Sequence, residues 1–429
     1  MSPKTSLPAL RSSGTRRVHW KRNDMLNTAF APWPCFSEEE ISAVAAVLRS
    51  NRVNYWTGEE GRAFEREFAE WAECDHAIAL ANGTVALDLA LHGLGIGAVN
   101  GGDASDEVVV TPRTFLASVS CVVNAGAKPV FADVDRDSGN LSAATIAPVL
   151  TPQTRAAIVV HLGGWPCDMD PIMELAEARG FKVIEDCAQA HGARYKGRSV
   201  GSIGHVGAWS FCQDKVMTTG GEGGMVTTSD RNLWSRMWSF KDHGKSWEAV
   251  YERAHPPGFR WLHEGFGTNW RMIEMQAVIG RIQLRRMAEW TAARTRNADI
   301  IRAAIAPFST GEGPLRAPQL AGEGSIHAEY KHYAYIRPDR LADGWDRDRI
   351  IAEIDARGVP CFQGSCSEVY LEKAFDGTGL RPLQRLPAAR DLGETSLMWL
   401  VHPTLTEDQM ALTAAVVADV LRVATAELV

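Results

Sequence analysis

Ser210-Phe211-Cys212-Gln213-Asp214-Lys215 leads straight into Val216-Met217-Thr218-Thr219-Gly220-Gly221-Glu222-Gly223-Gly224. The apolar run Val206 to Phe211 predicts a strand, the glycines permit tight turns, and Met225 to Thr228 predicts a second strand. A single lysine is thereby set between buried strands. Such a position strips water from an ammonium group and lowers its pKa, and the neutral amine is the form that attacks an aldehyde. Alone, the stretch reads more simply as a strand, a loop and an exposed lysine, so the rest of the chain has to decide.

On the N-terminal side, short apolar runs alternate with helical patterns. Strands are predicted at Ala77 to Leu80, Glu107 to Thr111, Pro129 to Val134, Ala156 to Leu162 and Lys182 to Glu185. Between them, Asn82-Gly83-Thr84 turns into a helix, Phe115 to Ala125 reads as another, and Asp170-Pro171 opens a third that Gly180 closes. This alternation predicts an α/β fold with a mostly parallel sheet flanked by helices, in which ligands collect at the carboxyl ends of the strands. Earlier still, Ser37-x-x-Glu40 is a capping box for a helix with Ile41, Val44, Val47 and Leu48 on one face, and Phe64, Phe68 and Trp71 recur at core spacing. Beyond Lys215, one long helix is predicted from Arg271 to Ile305, then a Gly/Pro-rich loop from Ser309 to Gly324. A smaller α+β unit follows: a strand at Tyr330 to Ile336, a helix at Asp346 to Arg357 closed by Gly358, and a last helix capped by Thr406-x-x-Gln409. The expected organisation is a basic tail over 1–28, a large domain over 29–300 and a small C-terminal domain over 301–429.

Composition narrows the function classes. A net charge of -7 argues against nucleic acid as the main partner, and no apolar run is long enough to span a membrane. The tail carries Lys4, Arg11, Arg16, Arg17, Lys21 and Arg22 without the apolar stretch of a signal peptide. Eight scattered cysteines without a close pair predict a reduced, cytoplasmic protein. A zinc site from His161, Cys167, Cys187 and His191 is disfavoured by the same spacing, and no metal is expected.

Several residues fall where a phosphate-bearing aromatic aldehyde would need them. Gly83 and Thr84 open a helix whose free N–H groups and dipole favour a phosphate, although an ordinary helix start reads the same way. Asp186 ends a buried strand, where it either caps the next helix or pairs with a protonated pyridine nitrogen. Gln189 suits the ring's phenolic oxygen and Ser210 the phosphate. Phe115 suits a stacking role, with a core position the alternative. The order of a phosphate turn, an aromatic, an Asp, a Ser and a Lys is more specific than any member. It identifies pyridoxal 5'-phosphate as the expected cofactor, held by Lys215 as a Schiff base.

Longer motifs then match a known family. These are Tyr55-Trp56-Thr57-Gly58 with Phe64-Glu65-x-x-Phe68-Ala69, Gly83-Thr84-x-Ala86-Leu87, Pro112-x-Thr114-Phe115 and Glu185-Asp186-x-Ala188-Gln189-Ala190-His191-Gly192. To them are added Ser210-Phe211-x-x-x-Lys215 with its glycines, and Gly267-x-Asn269-Trp270-Arg271-Met272. From about Trp33 to the C-terminal helix the chain resembles the DegT/StrS family of sugar aminotransferases, which are fold-type-I pyridoxal phosphate enzymes. The resemblance implies transfer of an amino group from glutamate or glutamine to a keto-sugar, with nucleotides as the expected carriers, for polysaccharide, lipopolysaccharide or glycosylated-metabolite synthesis. It implies a homodimer with shared active sites, Asn269 reaching the phosphate held by the other subunit. Two departures stand out. Asn82 replaces a small hydroxyl residue, and Pro360-Cys361-Phe362-Gln363-Gly364-Ser365-Cys366 replaces a segment with His and an aromatic near the substrate. The alternatives are an aminotransferase for a cyclitol (an inosose) and, more remotely, a regulator that binds the cofactor without catalysis. Lys215 argues against the family branch that carries His there.

Overall fold

The computed structural model describes residues 30–256, 261–320 and 322–425, so the basic tail over 1–28 lies outside the described residues. Strands β1 (His76–Leu80), β2 (Glu107–Val110), β3 (Lys128–Phe131), β4 (Thr154–Val160) and β5 (Lys182–Asp186) are followed by a small hairpin, β6 (Arg194–Tyr195) and β7 (Arg198–Ser199). The Lys215 stretch joins β8 (Val206–Ser210) to β9 (Gly224–Thr228). Seven of these form one sheet in the order β1-β9-β8-β5-β4-β2-β3. All run parallel except β9, which is antiparallel to both neighbours. The expected mostly parallel sheet is therefore present, and it brings the carboxyl ends of β5 and β8 side by side.

Helices α1 (Glu38–Ser50), α2 (Glu60–Trp71), α3 (Gly83–Leu94), α4 (Ala117–Asn124), α5 (Ala143–Ile146), α6 (Met169–Arg179), α7 (Arg231–Lys241), α8 (Trp247–Tyr251) and α9 (Glu274–Arg285) surround the sheet. Alternate strand residues face opposite layers, which is why the strands read as continuous apolar runs. Val108, Val110 and Ile158 pack with Leu87, Val119 and Trp238. Val109, Val159 and Val183 pack with Ile172 and Ala176, while Ala79, Trp209 and Met225 pack with Phe64, Phe68 and Ala277. Phe64 and Phe68 are thus core residues, as their spacing predicts.

The C-terminal part contains α10 (Met287–Ser309), β10 (Leu315–Arg316), β11 (His332–Ile336), α11 (Arg347–Ala356), β12 (Cys361–Phe362), α12 (Pro387–Thr395), β13 (Ser396–Trp399) and α13 (Glu407–Thr425). Its antiparallel sheet has the order β10-β11-β13-β12. One core unites Ala298, Ile301 and Ile305 of α10 with Ala334, Leu397, Trp399 and Val417. Its β10 lies within the stretch expected to be a loop from Ser309 to Gly324.

The single helix expected from Arg271 to Ile305 is two helices. Its first residues are instead committed to the sheet edge, where Ala81 N–H donates to the Trp270 carbonyl at 2.9 Å and Arg271 bridges to Leu80. The break comes at Arg286, whose guanidinium donates to Ser37 Oγ at 2.9 Å and to Glu39 at 2.7 Å. At that same helix start the predicted capping box is present, Ser37 N–H donating to Glu40 Oε2 at 2.6 Å. The apolar face predicted for α1 is not buried within the chain: Val47 is, but Ile41 and Leu48 are 54% and 51% exposed.

Candidate active site

Asp186 closes β5 with its side chain buried. Its Oδ2 accepts from Ser118 Oγ at 2.7 Å, and its Oδ1 accepts from Ala188 N–H at 3.1 Å. Ser118 lies in the first turn of α4, four residues after Thr114 of the preceding loop, and their hydroxyls pair at 2.7 Å. Burial pushes the Asp186 carboxyl above its usual range, against the pull of these hydrogen bonds and of the Lys215 charge. A carboxyl so buried gains from a cationic partner.

Lys215 sits at the end of the turn after β8, its side chain 15% exposed. The backbone is fixed from both sides: its N–H donates to the Cys212 carbonyl at 3.1 Å, and its carbonyl accepts from the Trp33 indole at 2.8 Å. Nζ lies 3.9 Å from Asp214 Oδ1 and 5.4 Å from the Tyr330 ring centroid. Tyr330 donates its hydroxyl to Asp214. Against its burial, Lys215 and Tyr330 hold the Asp214 carboxyl below its usual range. The Lys215 charge is felt by Asp186, by His191 and by Lys331, so these groups share one electrostatic neighbourhood. His191 is held down to about 3 by burial and by the charges of Lys215 and Arg294.

The turn at Gly83 comes to the same strand end. A Cβ on Gly83 would lie 2.5 Å from Ser210 Cβ and 2.8 Å from Ser210 Oγ, so only glycine lets α3 start against β8. Asn82 caps the helix by accepting from Val85 N–H at 3.1 Å. Among the described residues no acceptor pairs with the N–H groups of Gly83 or Thr84. They carry the positive end of the helix dipole, beside the Ser210 hydroxyl. Gln189 is buried, and its Oε1 accepts from Gly163 N–H at 2.7 Å, which turns the amide so that Nε2 is the atom left to donate.

Phe115 and Asn269 are placed differently. Phe115 is 69% exposed between β2 and α4, one residue from Thr114, and not in the core. Asn269 is exposed, and its backbone bridges to Asp242 rather than joining the Lys215 group. Ser118, Asp214, Tyr330 and Lys331 were not anticipated. Of these only Ser118 carries a local signal, its spacing of four residues from Thr114.

His161, Glu185 and Cys187 approach one another within 4.8 Å. His161 and Glu185 pair with each other and with backbone N–H groups. The Glu185 carboxylate accepts from Gly201 and Ile203 N–H, each at 2.8 Å, while His161 Nε2 meets it at 3.0 Å and Nδ1 accepts from Cys167 N–H at 2.9 Å. His191 lies apart, against Trp209 and Phe211.

The model of the DegT/DnrJ/EryC1/StrS aminotransferase family matches residues 34–419. Among solved structures, an aminotransferase from Psychrobacter cryohalolentis is similar with a TM-score of 0.89 and 62% identity, covering 92% of this chain and 99% of that one. The dTDP-3-amino-3,4,6-trideoxy-alpha-D-glucose transaminase of Streptomyces venezuelae is 35% identical over 371 residues, 86% of this chain and 89% of the relative. The L-glutamine:2-deoxy-scyllo-inosose aminotransferase of Streptoalloteichus tenebrarius is 35% identical over 333 residues, 75% of each. With a matching model over most of its length and relatives that share its whole architecture, this aminotransferase belongs to the DegT/DnrJ/EryC1/StrS family.

Proposed function

We propose that this chain uses pyridoxal 5'-phosphate to move an amino group from glutamate or glutamine to a keto-sugar carried on a nucleotide. The observation that carries the reading is a largely buried lysine whose charge acts on a buried strand-end carboxyl, with an unpaired helix start packed against the end of the neighbouring strand. The residues fit the cofactor group by group. Gly83, Thr84 and Ser210 would hold the phosphate, Asp186 would pair with the ring nitrogen, and Gln189 Nε2 would donate to the ring's phenolic oxygen. The exposed Phe115 ring would cover the pyridine face, and Lys215 would be the covalent anchor.

When bound, pyridoxal phosphate supplies an electron-accepting ring that makes the donor's α-proton acidic. The chain supplies the rest. Once the donor's amine has taken its place on the cofactor, the freed Nζ of Lys215 would take up that proton as general base, and the Tyr330–Asp214 pair would keep the amine in place. Asp186 is fixed by Ser118 and Ala188, so its charge is aimed before substrate arrives. Asn269, exposed on one protomer, completes the phosphate seat of its partner in a homodimer. The eight free cysteines suit a reducing cytoplasm.

The nucleotide-linked acceptor rests on the dTDP-sugar named for the Streptomyces relative. The inosose named for the Streptoalloteichus relative keeps a free cyclitol as the second reading. Lys215→Ala is expected to abolish both 2-oxoglutarate release from glutamate and the lysine-bound cofactor's visible absorbance; turnover retained in this variant would remove Lys215 from its role. A panel of dTDP-, UDP- and GDP-linked keto-sugars and an inosose then decides between the acceptors.

A further inference from the structure

Among the described residues, no carboxylate pairs with one buried guanidinium. Arg113 stands in the loop between β2 and α4 and is 1% exposed. Its Nη1 donates to the Tyr335 hydroxyl at 3.1 Å, whereas Nε and Nη2 are buried without a partner. Those two atoms form the side edge of the guanidinium, the edge whose parallel N–H groups match the two oxygens of a carboxylate or phosphate. The aromatic rings of Tyr333 and Tyr335 lie 5.3 Å and 5.5 Å from its Cζ. Arg316 in β10 approaches the same Tyr335 ring at 4.5 Å, and its Nη2 is also buried and unpartnered.

The acidic groups nearby are engaged. Asp137 pairs with Arg316 at 2.8 Å, and Glu329 pairs with Arg302 and with His332, each at 3.0 Å. Arg113 lines a cavity of about 320 Å³ between the large sheet's loops and β11, together with Trp165, Gln319, Tyr333 and Tyr335. Lys215, Asp186, Gln189 and Ser210 do not line it. A desolvated cation without a counter-charge is a costly arrangement, and the open edge, the cavity and the second orphaned guanidinium nitrogen all call for the same chemistry.

We propose that this cavity is a second anion site, which binds a carboxylate or a phosphate group side-on through Nε and Nη2 of Arg113, with Arg316 strengthening the field. Its ligand bridges the loop after β2 to the strands of the small sheet. The site is independent of the amino-transfer reading.

The test is titration calorimetry on cofactor-loaded protein, in which the cofactor's own phosphate seat is filled. Inorganic phosphate and succinate are each titrated at constant ionic strength set with chloride. Saturable binding of phosphate alone assigns a phosphate group, of succinate alone a carboxylate, and of both a general oxyanion site. Arg113→Met is expected to weaken that binding at least about tenfold, as loss of a charge-assisted two-pronged contact does. Arg316→Met is expected to weaken it less, and it carries the test if the first variant does not fold. Absence of binding by either anion, or binding unchanged in the folded variants, overturns the proposal.

Discussion

The Lys331 amine lies 5.0 Å from the Tyr330 ring, and burial, with Arg294 and Lys215 adding to it against Asp214, brings its pKa down to about 8. In the unfolded chain a lysine titrates near 10.4, so between the two values only the unfolded state holds the proton. Stability therefore rises as pH climbs from 8 toward 10.5, and the full penalty is present at pH 7. Lys331→Met is expected to raise unfolding free energy at pH 7 by up to about 3 kcal/mol, the gain fading near pH 10.5. Denaturant melts at pH 7 and pH 10 measure it, and an equal gain at both would show that the amine is not desolvated. A second expectation concerns Asp186→Asn. It keeps a group for Ser118 to bond but removes the charge, and should lower kcat by roughly 10²–10⁴ with cofactor still bound. Activity unchanged beside normal cofactor content would take Asp186 off the ring nitrogen. Asp186 and Ser210 were legible because they fall at strand ends, where a parallel sheet gathers its ligands. Tyr330 was not, because its partner Asp214 lies 116 residues away and no local pattern encodes their meeting. The same is true of Arg113 and Tyr335, 222 residues apart.

At the scale of elements, the α3–β8 contact depends on one missing methyl group. In Gly83→Ala the added carbon would meet Ser210 Cβ at 2.5 Å and its backbone Cα at 3.0 Å, so helix and strand must separate. We expect cofactor retention after dialysis to fall at least about tenfold, because the helix N-terminus and the Ser210 hydroxyl no longer converge. Retention as in the parent would mean that the phosphate is held elsewhere. Glu329, which precedes β11, joins it to α10 through Arg302. Its carboxyl is held down to about 2, burial being outweighed by His327, His332 and Arg302. A depressed carboxylate stabilises above its unfolded pKa and loses that contribution as pH falls from about 4.5 through 2. Glu329→Gln should therefore lose roughly 3 kcal/mol less than the parent between pH 6 and pH 2 in matched urea melts. Element types and their order were legible from periodicity, since buried parallel strands and Gly-closed helices announce themselves. The break at Arg286 was not, because the apolar pattern runs on across it. At the break Arg286 N–H donates to the Gln283 carbonyl three residues back, and its guanidinium reaches Ser37 and Glu39, about 250 residues earlier in the chain.

At the scale of the molecule, α1 presents Ile41 and Leu48 to solvent despite a sequence pattern built for burial, and Phe266 and Ile273 flank the exposed Asn269 segment. Amphipathic periodicity cannot say whether its apolar face meets its own chain or another copy. A second copy is the occupant that the shared-site reading requires, and an isologous dimer would double the mass of 46.9 kDa. Mass alone would not show that sites are shared, whereas mixing two inactive variants does. In a hybrid of Lys215→Ala and Asn269→Ala protomers, sharing places both defects in one site and leaves the other intact. Without sharing, each site keeps one defect and the hybrid stays inactive. Co-refolded or co-expressed equal mixtures form about half hybrids, each with one working site, so roughly a quarter of parent activity is expected to return. Amino transfer from glutamate, followed as 2-oxoglutarate, reads the outcome, with each variant alone as baseline. Activity no greater than the better parent variant, in mixtures where hybrids are demonstrated by differential tagging, would place Asn269 in its own chain's site or outside any site.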